Sequence, residues 1–211
     1  KTAIISLLFV PSMVFAQAGL PAEGLPKAGL TPESPFYFLD KLGEALREFF
    51  TFSPEGKARL QITFAAERVA EIKIVLKTKG VDAKGLEVAE ARLRKHFGEA
   101  IEIVIKQKGK GEDVSALAKE LDDDFEDLKS SLTDSFKAEE KALEAREDEL
   151  EKQLKAAHKA GDTAKADTIA QELGQVKAQL ELLELKEEAL EDDLDEEKEK
   201  LEEEMSAREK A

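Results

Sequence analysis

Gly161 divides the second half of this 211-residue chain into two stretches whose apolar residues stand at matching distances on either side. Leu154 and Ile169 lie nearest the centre. Outward from them come Leu150 and Leu173, Leu143 and Leu180, Leu132 and Leu190, Leu128 and Leu194, Leu121 and Leu201, and Leu117 and Met205. One uninterrupted helix has no reason to show that symmetry. Two antiparallel helices do, because side chains along facing seams must meet layer by layer. The spacing predicts a long helical hairpin over 112–211 with its turn near 161. Lys159-Ala160-Gly161-Asp162 forms the tip, and Asp162 or Thr163 caps the returning helix.

A second centre of symmetry falls at Val81. Ala58 stands opposite Val104, Ile62 opposite Ala100, Ala65 opposite Phe97, Val69 opposite Leu93, and Leu76 opposite Leu86. This predicts a shorter antiparallel pair, helices 54–79 and 82–108, with Gly80 closing the first and Asp82 capping the second. Leu60, Phe64, Val75, Val88, Ile101 and Ile105 lie off that seam, so each helix should bury a wide arc against more than one neighbour. Upstream, Ser34-Pro35 is a helix start signal, and Ser53-Pro54 repeats it. Between them Phe36, Leu39, Leu42, Leu46, Phe49 and Phe50 recur at helical spacing, giving a first helix that ends near Phe52. Residues 34–111 therefore read as a helical domain of three helices.

The longer hairpin must outrun the shorter pair. Its base is expected to pack into the bundle, with Phe125 and Phe136 turned inward, because they face polar Glu197 and Glu187 across the hairpin. Residues 137–186 are expected to project as an arm. Glu139, Arg146 and Gln153 occupy seam positions there that a strong coiled coil fills with leucine. The fold class is all-α: an antiparallel helical bundle with a long, protruding, acidic antiparallel coiled-coil hairpin.

The acid is concentrated in that hairpin. Residues 112–211 hold 34 acidic and 15 basic residues, a net −19 against −15 for the whole chain. Such a half repels nucleic acid and anionic lipid heads, both of which are bound by neutralising phosphate. Basic partners or cations are the electrostatic alternative. Asp122, Asp123 and Glu126 face Asp192, Asp193 and Glu196 in the hairpin register, and these are the weak metal candidates, suited to loose cation attraction. Calcium takes six to eight oxygens. Consecutive helical carboxylates, however, point around the helix and not at one ion, and no calcium-loop pattern is present. No specific metal site, cofactor or catalytic set is read here. His96 and His158 read as ordinary surface or capping residues, no serine–histidine–acid arrangement is recognisable, and Gly109-Lys110-Gly111 lacks the spacing of a phosphate loop. The chain has no cysteine, which removes disulfides and thiol chemistry.

Lys1 to Ala16 reads as a secretory signal peptide: a leading lysine, an apolar run over 3–10, Pro11, and Val14-Phe15-Ala16 before Gln17. An uncleaved anchor is the rival, although the run is short for a membrane span of about 20 residues. No stable span is expected after cleavage. Residues 17–33 form a linker in which Gly-Leu-Pro recurs every five residues. An extracytoplasmic protein follows: secreted, periplasmic or on the cell surface.

Phe36, Tyr37, Phe38, Phe49 and Phe50 form an aromatic cluster on the first helix. It reads first as an apolar cap over the bundle end and second as a docking patch for a partner; exposure separates the two. Glu67, Arg68 and Glu71 on the second helix read as structural ion-pairing residues, with Arg68 bridging acids on a neighbouring helix.

The stretch Thr31-Pro32-x-Ser34-Pro35-Phe36-Tyr37-Phe38-Leu39-Asp40-x-Leu42-x-Glu44, followed by Phe50-Thr51-Phe52-Ser53-Pro54-Glu55-x-Lys57-Ala58-x-Leu60 and by Glu67-Arg68-x-Ala70-Glu71, resembles an uncharacterised helical domain family of exported prokaryotic proteins, a domain of unknown function. These motifs cover about 31–105, and the acidic hairpin lies outside this most recognisable stretch. It implies an extracytoplasmic helical domain and brings no activity or catalytic residue with it. The function expected is a non-catalytic interaction or scaffold protein with a protein partner, self-association being left open. The alternatives are a holdase-like chaperone, which would expose apolar surface on the aromatic helix, and a divalent-cation-responsive acidic binding protein.

Overall fold

The computed structural model describes Thr31, Pro32, Ser34 and residues 37–206, without the side chains of Phe38, Leu39 and Asp40. The signal and most of the linker read from the sequence lie outside the described residues. Five helices and no strand are present among them: α1 (Tyr37–Phe49), α2 (Pro54–Lys79), α3 (Lys84–Gly109), α4 (Ser115–Ala160) and α5 (Thr163–Ser206).

Local chemistry sets most of the boundaries. Ser53 caps α2, its hydroxyl accepting from the Gly56 amide at 3.0 Å, with Pro54 in the first helical position. Gly80 closes α2 at φ 80°, and its amide donates to the Leu76 carbonyl at 3.0 Å. Gly161 ends α4 in the left-handed conformation at φ 74°, ψ 15°, a geometry that disfavours any side chain. Asp162 then caps α5 by accepting from the Lys165 amide at 3.1 Å. Two expectations shift. Asp82 does not cap α3, which starts after Ala83; its carboxylate accepts from Gln179 of α5 at 3.0 Å, so a tertiary contact takes the group. The first helix stops at Phe49, three residues short of Phe52.

α2 pairs with α3 and α4 with α5, and the two pairs pack face to face, α2 on α4 and α3 on α5. Both sets of facing apolar residues are inside. Ala58, Ile62, Ala65, Val69 and Leu76 meet Leu86, Leu93, Phe97, Ala100 and Val104, all essentially solvent-free. Leu121, Leu128 and Leu132 with Leu190, Leu194 and Leu201 complete the same core. Phe125 does turn inward, its ring 4.6 Å from that of Phe97, and Phe136 is fully buried.

Beyond this core α4 and α5 continue with a separate small cluster of Leu150, Ala157, Ala166, Ile169 and Val176. Leu143 packs against both clusters and marks the joint. On α5 the ties to the bundle reach further out than the expected boundary at 186. Lys186 pairs with Glu90 at 3.4 Å, and Gln179 bonds Asp82. The outer pair therefore begins near residues 143 and 179. From Leu143 to Ala160, at about 1.5 Å per residue, it spans about 25 Å.

Candidate functional site

α1 lies against the side of the α2–α3 pair that faces away from α4 and α5. α3 turns Arg92 toward α1 and Arg94 toward α5. The contact is made by the polar side of α1. Tyr37 and Glu44, two helical turns apart, are buried at 7% exposure each. Arg68 of α2 stands fully buried between them. Its guanidinium lies 2.9 Å from Glu44 and 2.9 Å from Glu71, and it donates to the Tyr37 hydroxyl at 3.1 Å. Arg92 donates to the same hydroxyl at 2.6 Å and stacks over the Tyr37 ring at 4.8 Å. Arg47 donates to Glu67 at 3.1 Å and covers the Phe64 ring. Three arginines thus meet three glutamates.

Electrostatics within the cluster hold Arg68 charged. Burial works against the Arg68 charge, but Glu71, Glu44, Tyr37 and Glu67 outweigh it and raise its pKa. Burial chiefly raises the Tyr37 phenol, keeping it neutral. The bridging role expected of Arg68 is present, and it extends to α1. The residues that carry the family resemblance, Tyr37 and Glu44 on one side and Glu67, Arg68 and Glu71 on the other, are the ones that meet here.

With its polar side inward, α1 turns its apolar side outward. Leu42 is 54% exposed, Leu46 50%, Phe49 73%, Phe50 52% and Phe52 84%. An apolar cap over the bundle end is therefore not what this helix forms. Of the five aromatic interaction candidates, Phe49 and Phe50 are exposed and stack edge-to-face at 5.3 Å. Tyr37 is a buried latch residue instead. Phe36 and the Phe38 side chain lie outside the described residues.

His96 departs from its sequence reading as well. It is 5% exposed, tilted against Phe64, with Nδ1 2.6 Å from Gln61 Oε1. The off-seam side of α3, which looked solvated, is covered by α2. Burial first, then Arg68, Lys95 and Arg92, lower its pKa to about 3, while Glu99 stands 3.9 Å away. The unfolded chain takes up a proton near the ordinary value of about 6.5 and the folded chain does not. The contribution of His96 to stability should thus be full above about pH 6.5 and fall by about 1.4 kcal/mol per pH unit toward pH 3. Chemical denaturation of wild type and His96→Gln across that range checks this, since the substitution should flatten the slope.

The acidic candidates are interleaved with cations. Lys198 of α5 contacts Asp122 at 3.1 Å and also Glu126, Lys119 pairs with Asp123 at 2.7 Å, and Arg94 with Asp193 at 2.6 Å. Lys200 contacts Glu196 at 3.2 Å, and Asp192 is exposed. Among the described residues no group of three or more His, Cys, Asp or Glu is placed to hold a metal ion. Asp124, pushed up to about 6 by burial and then by Glu120, Asp127 and Asp123, records the remaining repulsion. An open cleft of about 390 Å³ beside Phe52 is lined by Lys57, Gln61, Glu99, Ile103 and Lys106, with no nucleophile and base paired in it. No described helix is long and apolar enough to cross a membrane.

A family model described as Domain of unknown function (DUF5667) matches residues 29–207. The match takes in α4 and α5, so the family domain extends from the motif-bearing stretch at 31–105 through the acidic hairpin. No curated protein matches the chain, and no solved structure does. The chain belongs to the DUF5667 family.

Proposed function

We propose that this member of the DUF5667 family is a non-catalytic interaction or scaffold protein that works outside the cytoplasm and presents the outer α4–α5 pair to a protein partner as a coiled-coil arm. The observation that carries this reading is the separation of the two cores. The outer pair closes around Leu150, Ala157, Ala166, Ile169 and Val176, and at its base Gln179 bonds Asp82 beside α3. A segment that adds nothing to the bundle core, and is held in shape by ion pairs such as Arg146 to Glu172 at 3.0 Å and Lys177 to Glu147 at 3.2 Å, is built for reach. The placement outside the cytoplasm rests on the signal-like Lys1–Ala16 stretch and the Gly-Leu-Pro tether.

Replacing residues 144–178 by a short glycine turn tests the arm. The shortened protein should keep the bundle's helical content and lose the partners that the full chain retains from an envelope extract. Retention of the same partners by both forms would remove the arm from recognition. A holdase-like chaperone is the second reading, favoured by the exposed Leu42, Leu46, Phe49, Phe50 and Phe52. It expects the folded chain to bind a hydrophobic dye and to suppress aggregation of an unfolded client.

A further inference from the structure

We propose that the outward face of α1 is a self-association surface, on which a second copy of this chain docks antiparallel across a two-fold axis at Leu46. The face presents Leu42, Leu46 and Phe49, continued by Phe50 just past the helix end, each half or more exposed. Together they amount to on the order of 400 Å², within the range of the largest patch that a monomer leaves exposed. Two copies closing on each other would bury on the order of 800 Å² from these side chains, the size of a weak, transient contact.

The spacing of the strip suits its own partner. Leu42 stands four residues before Leu46 and Phe50 four after; Gly43 stands three before and Phe49 three after. In an antiparallel pair crossing at Leu46, Leu46 meets Leu46 of the partner subunit and Leu42 meets Phe50 of the partner subunit. Phe49 then passes over Gly43 of the partner subunit, where a Cβ would meet nothing within 4 Å and a ring has room. An isologous contact requires this self-matching, since every pairing occurs twice.

Charge favours a second copy over a lipid surface. Helices that lie on anionic membranes keep free lysines and arginines along their polar side. In α1 that side faces the bundle, with Arg47 on Glu67, and the chain carries −15 overall. The acid of the hairpin lies across the α2–α3 pair from α1, so two copies joined through α1 keep their acidic halves apart. The dimer that results holds two arms on opposite outer sides. This inference stands apart from the arm's role in binding.

The experiment uses the full chain, which has no native cysteine. Sedimentation over roughly 1–300 μM should show the mass doubling, as a contact of this size is weak. Leu46→Asp, at an exposed position outside both cores, should stay monomeric with an unchanged melting curve. Leu46→Cys should oxidise to a covalent dimer. Leu42→Cys mixed with Phe50→Cys should give the mixed disulfide in excess of either self-pair. A wild-type chain that stays monomeric throughout the range overturns the proposal. So does a Leu46→Asp chain that still dimerises. A monomer that binds zwitterionic or anionic vesicles through this face, or one that holds unfolded clients there, also overturns it in favour of those occupants.

Discussion

Replacing Arg68 by methionine should destabilise the fold by about 3–5 kcal/mol, because it removes the cation from a buried set of carboxylates. Arg68 is fully buried, Glu71 is at 0% exposure, and both Glu71 and Glu44 sit 2.9 Å from the guanidinium. Methionine keeps much of the volume, so the loss is mainly that of the charge. For a chain of this size the melting temperature should fall by roughly 6–20 °C. α1 should also leave the bundle first, seen as new proteolytic cleavage near residues 37–53 while α2 to α5 stay protected. Adding Glu71→Leu and Glu44→Gln to Arg68→Met should recover most of the loss, since a buried ion set replaced as a whole by well-packed neutral side chains is often neutral in stability. A single mutant that melts within about 1 kcal/mol of wild type would mean that water reaches these carboxylates and that α1 is held by something else.

The second large effect separates the two cores. Leu93 is 1% exposed in the bundle, and Leu150 is 1% exposed in the outer pair. An aspartate at either site would place an unpaired carboxylate in an apolar setting, at a cost of several kcal/mol. At Leu93 that cost, with the lost packing against α2, approaches the whole stability of an ordinary domain, about 5–15 kcal/mol. Leu93→Asp should abolish most of the helical signal at 25 °C. Leu150→Asp should loosen only the segment beyond Leu143 and Gln179, leaving the bundle to melt near its normal temperature. Hydrogen exchange resolves the two outcomes by segment. If both variants lose the same signal in one step, the cores are one cooperative unit and the division drawn at Leu143 fails.

Much of this architecture could be read from spacing alone. Antiparallel helices leave equidistant apolar residues around their turn, and both centres, at Val81 and Gly161, correspond to turns between paired helices. Phe125 and Phe136 could be assigned inward because their opposite numbers across the hairpin are acids. What spacing could not reveal was the direction in which α1 faces. An amphipathic pattern says that two sides differ; it does not say which side meets the protein. Here the buried arginine and glutamates of α2 invert the usual choice, and only their joint burial shows it. The same cause hid His96. Reading α3 by its seam with α2 left the adjoining side looking solvated, while Phe64 and Gln61 of α2 close over it. Asp82 was misassigned because its carboxylate answers Gln179, ninety-seven residues away, and not its own helix. Lys198 and Lys129 reach across the hairpin among the acidic candidates, to Asp122 at 3.1 Å and to Asp195 at 2.6 Å.

The inverted seating of α1 has a thermodynamic consequence. A helix docked by its greasy side exposes that side on leaving, and the event carries a heat-capacity increment and a dependence on urea. α1 already shows solvent Leu42, Leu46 and Phe49. Among the described side chains, its departure uncovers chiefly guanidinium and carboxylate groups, with Tyr37 and part of Phe64 as the apolar share. Undocking therefore carries a smaller heat-capacity increment than that of a helix docked by its apolar side, and answers to ionic strength.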